Sequence, residues 1–307
     1  MAPNREIPAV PPRRHSILFR LTRACAPAAA LLPVLAAGSL LVFLIARGAP
    51  SLGADLFFGN TPPLEALLGQ RPVWDGIWPA LAGTLCLVGL TLCLALVPGV
   101  GCGIFLAEYA SPRWKGIAGT AVDILAGTPS IVMGLFGFTL ILFLRRTLFQ
   151  EANTCLLLAA VCLALLVLPV LVVSTREAFG SVPESLRITA ASLGFTREQA
   201  LLRVLLPSAA RGIGSGVILA LGRAAEDMAV IMLTGAVANA GLPAGPGAKF
   251  EALPFAVYYT AAQYQDQNEL ARGFGTALVL LCLSGGLILL ARALEARWRR
   301  RWQGGRP

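Results

Sequence analysis

Six long apolar runs, at residues 28–46, 79–106, 117–144, 155–174, 213–234 and 276–291, constrain this chain more than any other feature of its sequence. A helix needs about 20 residues to cross the ~30 Å hydrocarbon core of a bilayer. In hydrocarbon every backbone N–H and C=O must find a partner within the protein, so apolar runs of this length are read as membrane-spanning helices. The composition agrees: 13% of residues are charged, against about 25% in a soluble domain. The expected fold class is all-α, a polytopic membrane protein with six transmembrane helices. The second and third runs exceed a straight span and contain Pro98, Gly99, Gly101 and Gly103, or Gly127 and Pro129. Kinks or partial unwinding are expected there.

Lys and Arg set the orientation of such a chain. The N-tail, the segments after the second and fourth runs, and the C-tail together carry 18, whereas the opposite side carries six: Arg47, Arg71, Arg145, Arg146, Lys249 and Arg272. Both termini are therefore expected in the cytoplasm, with a basic N-tail at 1–27, a six-span domain at 28–291 and a basic C-tail at 292–307. The first run continues past the small residues Ala36, Ala37, Gly38 and Ser39 to Ala46, longer than a signal peptide's apolar region, so an uncleaved first span is expected. Orientation accounts for the net charge of +9, and no nucleic-acid partner is expected.

Between two of the membrane-length runs lies a polar insertion at 181–207. Ser181 with Glu184, and Thr196 with Gln199, fit the capping box that opens a helix. Gly194 between them suits a left-handed turn, and Pro207 is expected to end the second helix. This predicts a bent, rigid helix pair at the cytoplasmic surface, suited to passing force from a soluble partner to the spans.

Several chemistries are poorly supplied. The one histidine, His15, lies in the N-tail, and the seven cysteines are scattered without a Cys-x-x-Cys pair, so neither a catalytic residue nor a metal site is expected. Neither lysine, Lys115 or Lys249, closes a phosphate-binding G-x-x-x-x-G-K-[ST] loop. The chain is expected to hold no cofactor of its own, and if ATP drives it, another subunit binds the ATP.

The chain resembles the membrane subunits of ABC importers, and more narrowly the phosphate-uptake permeases. Ala190, Ala191, Gly194, Leu206 and Pro207 match the importers' cytoplasmic loop, and Glu177-Ala178, Ser181-Val182-Pro183 and Ser185-Leu186-Arg187 match the phosphate-type approach to it. Further matching segments follow in order, including Leu106-Ala107-Glu108-Tyr109, Pro129-Ser130-Ile131-Val132 and Gly222-Arg223-Ala224. The resemblance implies a coupling loop at about 177–210, in which Glu177, Ala178, Ala190, Ala191, Gly194, Leu206 and Pro207 engage an ATP-binding cassette ATPase dimer. It also implies a second permease subunit, an extracytoplasmic substrate-binding protein, and residence in the bacterial inner membrane. The fifth span departs from the family pattern Gly-Arg-Ala-x-Gly-Glu-Thr: here it reads Gly222-Arg223-Ala224-Ala225-Glu226-Asp227-Met228. Val173 replaces a basic residue often found after the fourth span.

Arg223, Glu226 and Asp227 stand at i, i+3 and i+4, so on one helix they share a face and are expected to pair. Each ionised group at mid-bilayer costs about 2.5–3.5 kcal/mol on the insertion scale, so this face is expected to meet protein or a water-filled path. Arg223, Glu226, Asp227, Thr128 and Ser130 are the candidates for the translocation pathway, with a structural charge knot as the alternative for the first three. Asp123 reads as an interfacial cap or a partner for a loop arginine. The aromatics of 250–264 suit either an interfacial belt or a short helix that contacts a delivered binding protein. Two other functions fit the same residues: an ion-coupled secondary transporter with a proton on Glu226 or Asp227, and a sensor or scaffold that has lost transport.

Overall fold

The computed structural model describes residues 15–147, 150 and 153–302, of which the side chains of 15–25, 28 and 298–302 are left aside. Among the described residues six helices are long and apolar enough to cross a membrane. In chain order the helices are α1 (His15–Gly48), α2 (Ala54–Phe58), α3 (Pro63–Leu67), α4 (Trp78–Ile104), α5 (Pro112–Gly127), α6 (Ser130–Thr147), α7 (Leu156–Gly180), α8 (Glu184–Ser192), α9 (Arg197–Ala200), α10 (Leu206–Glu226), α11 (Met228–Thr234), α12 (Leu253–Gln263) and α13 (Gln267–Trp302). No strand occurs among the described residues beyond one isolated bridge, Ala236 to Phe250. The terminal helices run past the expected tail boundaries, α1 beginning at His15 and α13 reaching Trp302. Arg5, Arg13, Arg14 and Arg306 lie outside the described residues.

The centre of the molecule is α7, whose Leu163, Val167 and Leu171 are fully buried. Lipid chains are as apolar as leucine, so spans associate by close packing rather than by hydrophobic exclusion, and small residues permit it. Both neighbours of α7 follow this rule. On α4, a β-carbon at Gly99 would stand 2.7 Å from that of Leu171, and one at Gly103 would stand 2.5 Å from that of Thr175. On α10, one at Gly212 would stand 2.4 Å from the β-carbon of Ala178, and one at Gly216 would overlap the Ser174 hydroxyl. Gly99 and Gly103 of the second run thus serve helix contact, whereas Gly101 has open space beside it. At the periphery, α1 leaves Leu31, Leu32, Leu35 and Leu40 exposed. It meets α13 at Gly48 and through an edge-on contact of Phe43 with Phe274.

The third run is broken between Gly127 and Pro129, where unwinding is expected, and the fifth is broken as well, which corrects the single helix expected at 213–234. Between α5 and α6, Thr128 is extended (φ −72°, ψ 123°), as the residue before a proline prefers; Pro129 has no N–H to continue the ladder. The fifth span instead starts early. Its helical path runs from Arg197 through a π turn at Leu201–Leu205 into α10, and breaks at Asp227. Pro207 therefore does not stop a helix. It occupies the first turn of α10, where a missing N–H is tolerated, and the π turn just before it absorbs the change in hydrogen-bond register.

Candidate functional site

The polar insertion folds as a bent pair, α8 and α9, at one end of the bundle. Its corner is built as the residues suggest. Gly194 is left-handed (φ +75°), Phe195 N donates to Ala190 O at 3.1 Å and Gly194 N to Ala191 O at 3.0 Å. Together these two bonds satisfy the last carbonyls of α8. The Thr196–Gln199 capping box is formed in both directions. The one expected at Ser181 is not: Ser181 closes α7, donating from N to Glu177 O at 2.9 Å and from Oγ to Ala178 O at 2.8 Å. Pro183 explains this, because it pushes Val182 out of the helical region that a cap at Ser181 would require.

The seven candidate coupling residues divide by burial. Ala178 and Ala190 are buried, Leu206 and Pro207 half-buried, and Glu177, Ala191 and Gly194 exposed. Ala178 packs with Phe179, Val182, Leu205 and Ala209 and with the partly buried Leu206, which joins the insertion to α7 and α10. The outward side is apolar: Ile188, Leu193 and Leu202 are each more than 60% exposed.

One connection escaped the sequence reading. Arg187 donates through Nη1 to both oxygens of Glu108, at 2.8 and 2.7 Å, and through Nη2 to Phe179 O at 2.9 Å. Glu184 adds a longer ionic contact of 3.6 Å. The hydrogen bond to Glu108 raises the Arg187 guanidinium above its ordinary value, against a smaller effect of burial. Glu108 sits in a π turn, Phe105–Tyr109, that ends α4, so the pair ties α8 directly to a membrane span. Both residues lie in segments matching the family, but 79 positions separate them, and neither segment carries a period that links it to the other.

The candidate pathway residues are only partly gathered. Arg223 and Glu226 are exposed on the side of α10 that also shows Ser215 and Leu219. Among the described residues no ion pair joins Arg223 to Glu226 or Asp227, so the expected three-charge knot is not formed. Asp227 has left the helix: its Oδ1 accepts from Val230 N at 3.0 Å and caps α11. A carboxylate at a helix start is favourably placed against the backbone dipoles.

The two helix breaks nevertheless face one another. A β-carbon at Gly134 of α6 would stand 2.9 Å from Ala229 O, and one at Gly137 would stand 2.6 Å from Thr234 Cγ2. Numbering rises along both helices between these contacts, so α6 and α11 run parallel and start within roughly one turn of each other. Ser130 and Asp227 therefore share a level, with the half-buried Thr128 just before Ser130 in the chain; its hydroxyl donates to Ile124 O at 2.9 Å. Asp123 is exposed on α5.

Residues 99–300 match the family described as "Binding-protein-dependent transport system inner membrane component". The chain belongs to this family. A "Phosphate transport system permease protein PstA" from Haemophilus influenzae is 34% identical over 251 residues, spanning 80% of this chain and 83% of that protein. A PstA 1 from Mycobacterium tuberculosis is 33% identical over 221 residues, 72% and 70% of the two chains. A solved inward-facing MetNI methionine ABC transporter aligns with a TM-score of 0.51 over 74% of this chain and 97% of that one, at 19% identity, a likeness of fold. The permease is thus a multi-pass inner membrane component of a transport system that depends on a binding protein.

Proposed function

We propose that the permease is one half of the transmembrane pathway of an ATP-driven importer for phosphate or a related oxyanion. The α8–α9 pair faces the cytoplasm with both termini. It docks into an ATPase dimer that binds the ATP, and a second permease subunit completes the pathway. The observation that carries this reading is the Arg187–Glu108 tie between an apolar-faced, capped helix pair and a membrane span. A surface connector has no need of such a tie, and a force-transmitting element does.

In this reading Ile188, Leu193 and Leu202 form the apolar contact with the ATPase, Gly194 sets the corner, and Ala178 and Ala190 seat the pair on the spans. The pathway runs past the facing helix breaks at Thr128–Ser130 and Asp227. Arg223 is the cation offered to an oxyanion there, since its planar fork suits two oxygens at once. Asp227 is engaged by the Val230 amide at the start of α11 and so does not neutralise Arg223.

Reconstitution of the permease with its ATPase, second permease and binding protein tests the proposal. Phosphate uptake should require ATP and survive collapse of the proton gradient. Uptake that persists without the ATPase and stops with a protonophore would instead favour an ion-coupled transporter. Arg223→Met should abolish uptake while ATP hydrolysis still responds to loaded binding protein. For orientation, cysteines at Ser185 and Gln265 should label from opposite sides, the first only from the cytoplasm.

A further inference from the structure

At the end of the molecule opposite α8–α9 a cavity of about 360 Å³ opens to the surface between the residues preceding α4, the 237–252 loop, α12 and the start of α13. Carboxylates and aromatic rings line it: Asp75, Glu251 and Glu269, with Trp74, Tyr259 and Tyr264. Arg272 also borders it, and its guanidinium donates to the backbone carbonyls of Asp55 and Asp75. Among the described residues no ion pair reaches any of the three carboxylates.

The walls are fixed before anything binds. A β-carbon at Gly59 would stand 2.7 Å from that of Asp75, and one at Gly83 only 2.0 Å from Glu251 O. Leu253 N donates to Thr84 Oγ1 at 2.9 Å, and Glu251 Oε1 takes Gly241 N at 2.8 Å. Glu269 Oε2 takes Gln265 N at 2.7 Å, and Asp75 Oδ2 takes Asn60 Nδ2 at 3.3 Å. These bonds leave each carboxylate oriented and without an ion-pair partner, so that three carboxylates outnumber the one guanidinium in the lining. Rings beside such a set attract a cation electrostatically and cover its aliphatic stem.

We propose that this cavity receives a lysine or arginine side chain presented by the docked binding protein, its charge taken by Asp75, Glu251 and Glu269 and its stem by Tyr259 and Tyr264. The proposal rests on the reading above of an importer whose α8–α9 end is cytoplasmic, which leaves this opposite end to the extracytoplasmic binding protein. A pre-set pocket with unmatched charge is what a single anchoring side chain needs, because little ordering remains to be done on binding. The cavity also abuts the first turn of α4, whose other end carries Glu108, so an anchored side chain sits on the same helix that holds the coupling element.

The test uses the full complex in lipid nanodiscs and its own binding protein. Asp75 and Glu269 are exposed, so Asp75→Asn with Glu269→Gln leaves packing intact. The double variant should weaken binding about tenfold at low salt and flatten its salt dependence; adding Glu251→Gln should weaken it further. One lysine or arginine of the binding protein should prove non-additive with Asp75→Asn in a double-mutant cycle. Unchanged affinity and salt dependence, or additivity with every basic residue of the binding protein, overturns the proposal. So does loss of spermidine binding by the variants with binding-protein affinity intact, which makes the occupant a small organic cation. If the unaltered complex itself neither binds the binding protein nor responds to it, the docking reading fails and this inference falls with it. If the unaltered complex responds and the variants respond equally, only the inference fails.

Discussion

The two ends of α4 are held by different physics. At its start, contact is steric: β-carbons at Gly76 and Gly83 would lie 2.2 and 2.0 Å from the carbonyl oxygens of Phe57 and Glu251. At its far end the hold is a charge-assisted pair, Glu108 with Arg187. Backbone-to-backbone contact has no slack and admits one arrangement, whereas a charge-assisted hydrogen-bonded pair is directional and can be made or released as a unit. The first suits a wall that must keep its shape, and the second suits a joint between a span and an element that moves with a partner.

Four experiments break or sharpen this contrast. Gly83→Val should have the largest effect, about 3 kcal/mol or more of lost stability, because the added atoms meet backbone that cannot rotate away. The expected readout is a large fall in the melting temperature of the purified complex, or failure to assemble. A variant that melts like the parent would remove the claim that the outer end is sterically locked.

Glu108→Ala should be milder for folding and more severe for function. It leaves a half-buried Arg187 without its carboxylate, at a cost of about 2–3 kcal/mol once partial exposure is allowed for. ATP hydrolysis should decouple from uptake while the complex stays folded. Exchanging the pair, Glu108→Arg with Arg187→Glu, should restore part of the coupling; Phe179 O and Glu184 would then repel the relocated carboxylate, so restoration should be incomplete. No restoration at all would make the tie a matter of packing.

Gly194→Leu comes next, at about 1–2 kcal/mol for a side chain forced to a positive φ. No atom lies within 4 Å of the position, so the penalty is conformational and falls on the corner of the helix pair. Stimulated ATP hydrolysis should drop with insertion unaffected.

The smallest effect belongs to Glu251, whose pKa is raised by burial against the opposing pull of the Gly241 and Ala240 amides. A raised carboxyl favours the folded state when protonated. Its stabilisation is therefore full below the ordinary glutamate pKa and is lost as pH rises through the folded value. Conversely, a cation in the cavity needs the ionised form, so binding-protein affinity should fall on acidification sooner than an ordinary glutamate would cause. Glu251→Gln should remove both trends, as read from melting and affinity across pH; persistence of either in the variant would assign it to Asp75, Glu269 or another group.

The spans, the bent insertion and its corner were legible because they depend on local rules. Apolar length, the Thr196–Gln199 box and the left-handed Gly194 each need only neighbours in the chain. Errors arose where two local rules competed. A capping pattern at Ser181 lost to the restriction that Pro183 places on Val182, and the breaker at Pro207 lost to a π turn that shifts the register ahead of it. Helical spacing placed Arg223, Glu226 and Asp227 on one face; it held for Arg223 and Glu226 and failed for Asp227, where the helix broke.

By itself, then, the sequence determined the class of the protein, its six spans and the presence of a rigid polar element between two of them, since hydrophobic length and capping are written residue by residue. Only the tertiary structure decided that Glu108 holds Arg187 across 79 positions, that two helix breaks share a level, and that Asp75, Glu251 and Glu269 from three separate segments border one cavity. Those juxtapositions follow from close contacts at small residues: Gly99 and Gly103 against α7, Gly134 and Gly137 against α11, and Gly83 against the backbone at Glu251. Such packing depends on the shapes of surfaces far apart in the chain, and no local pattern carries it.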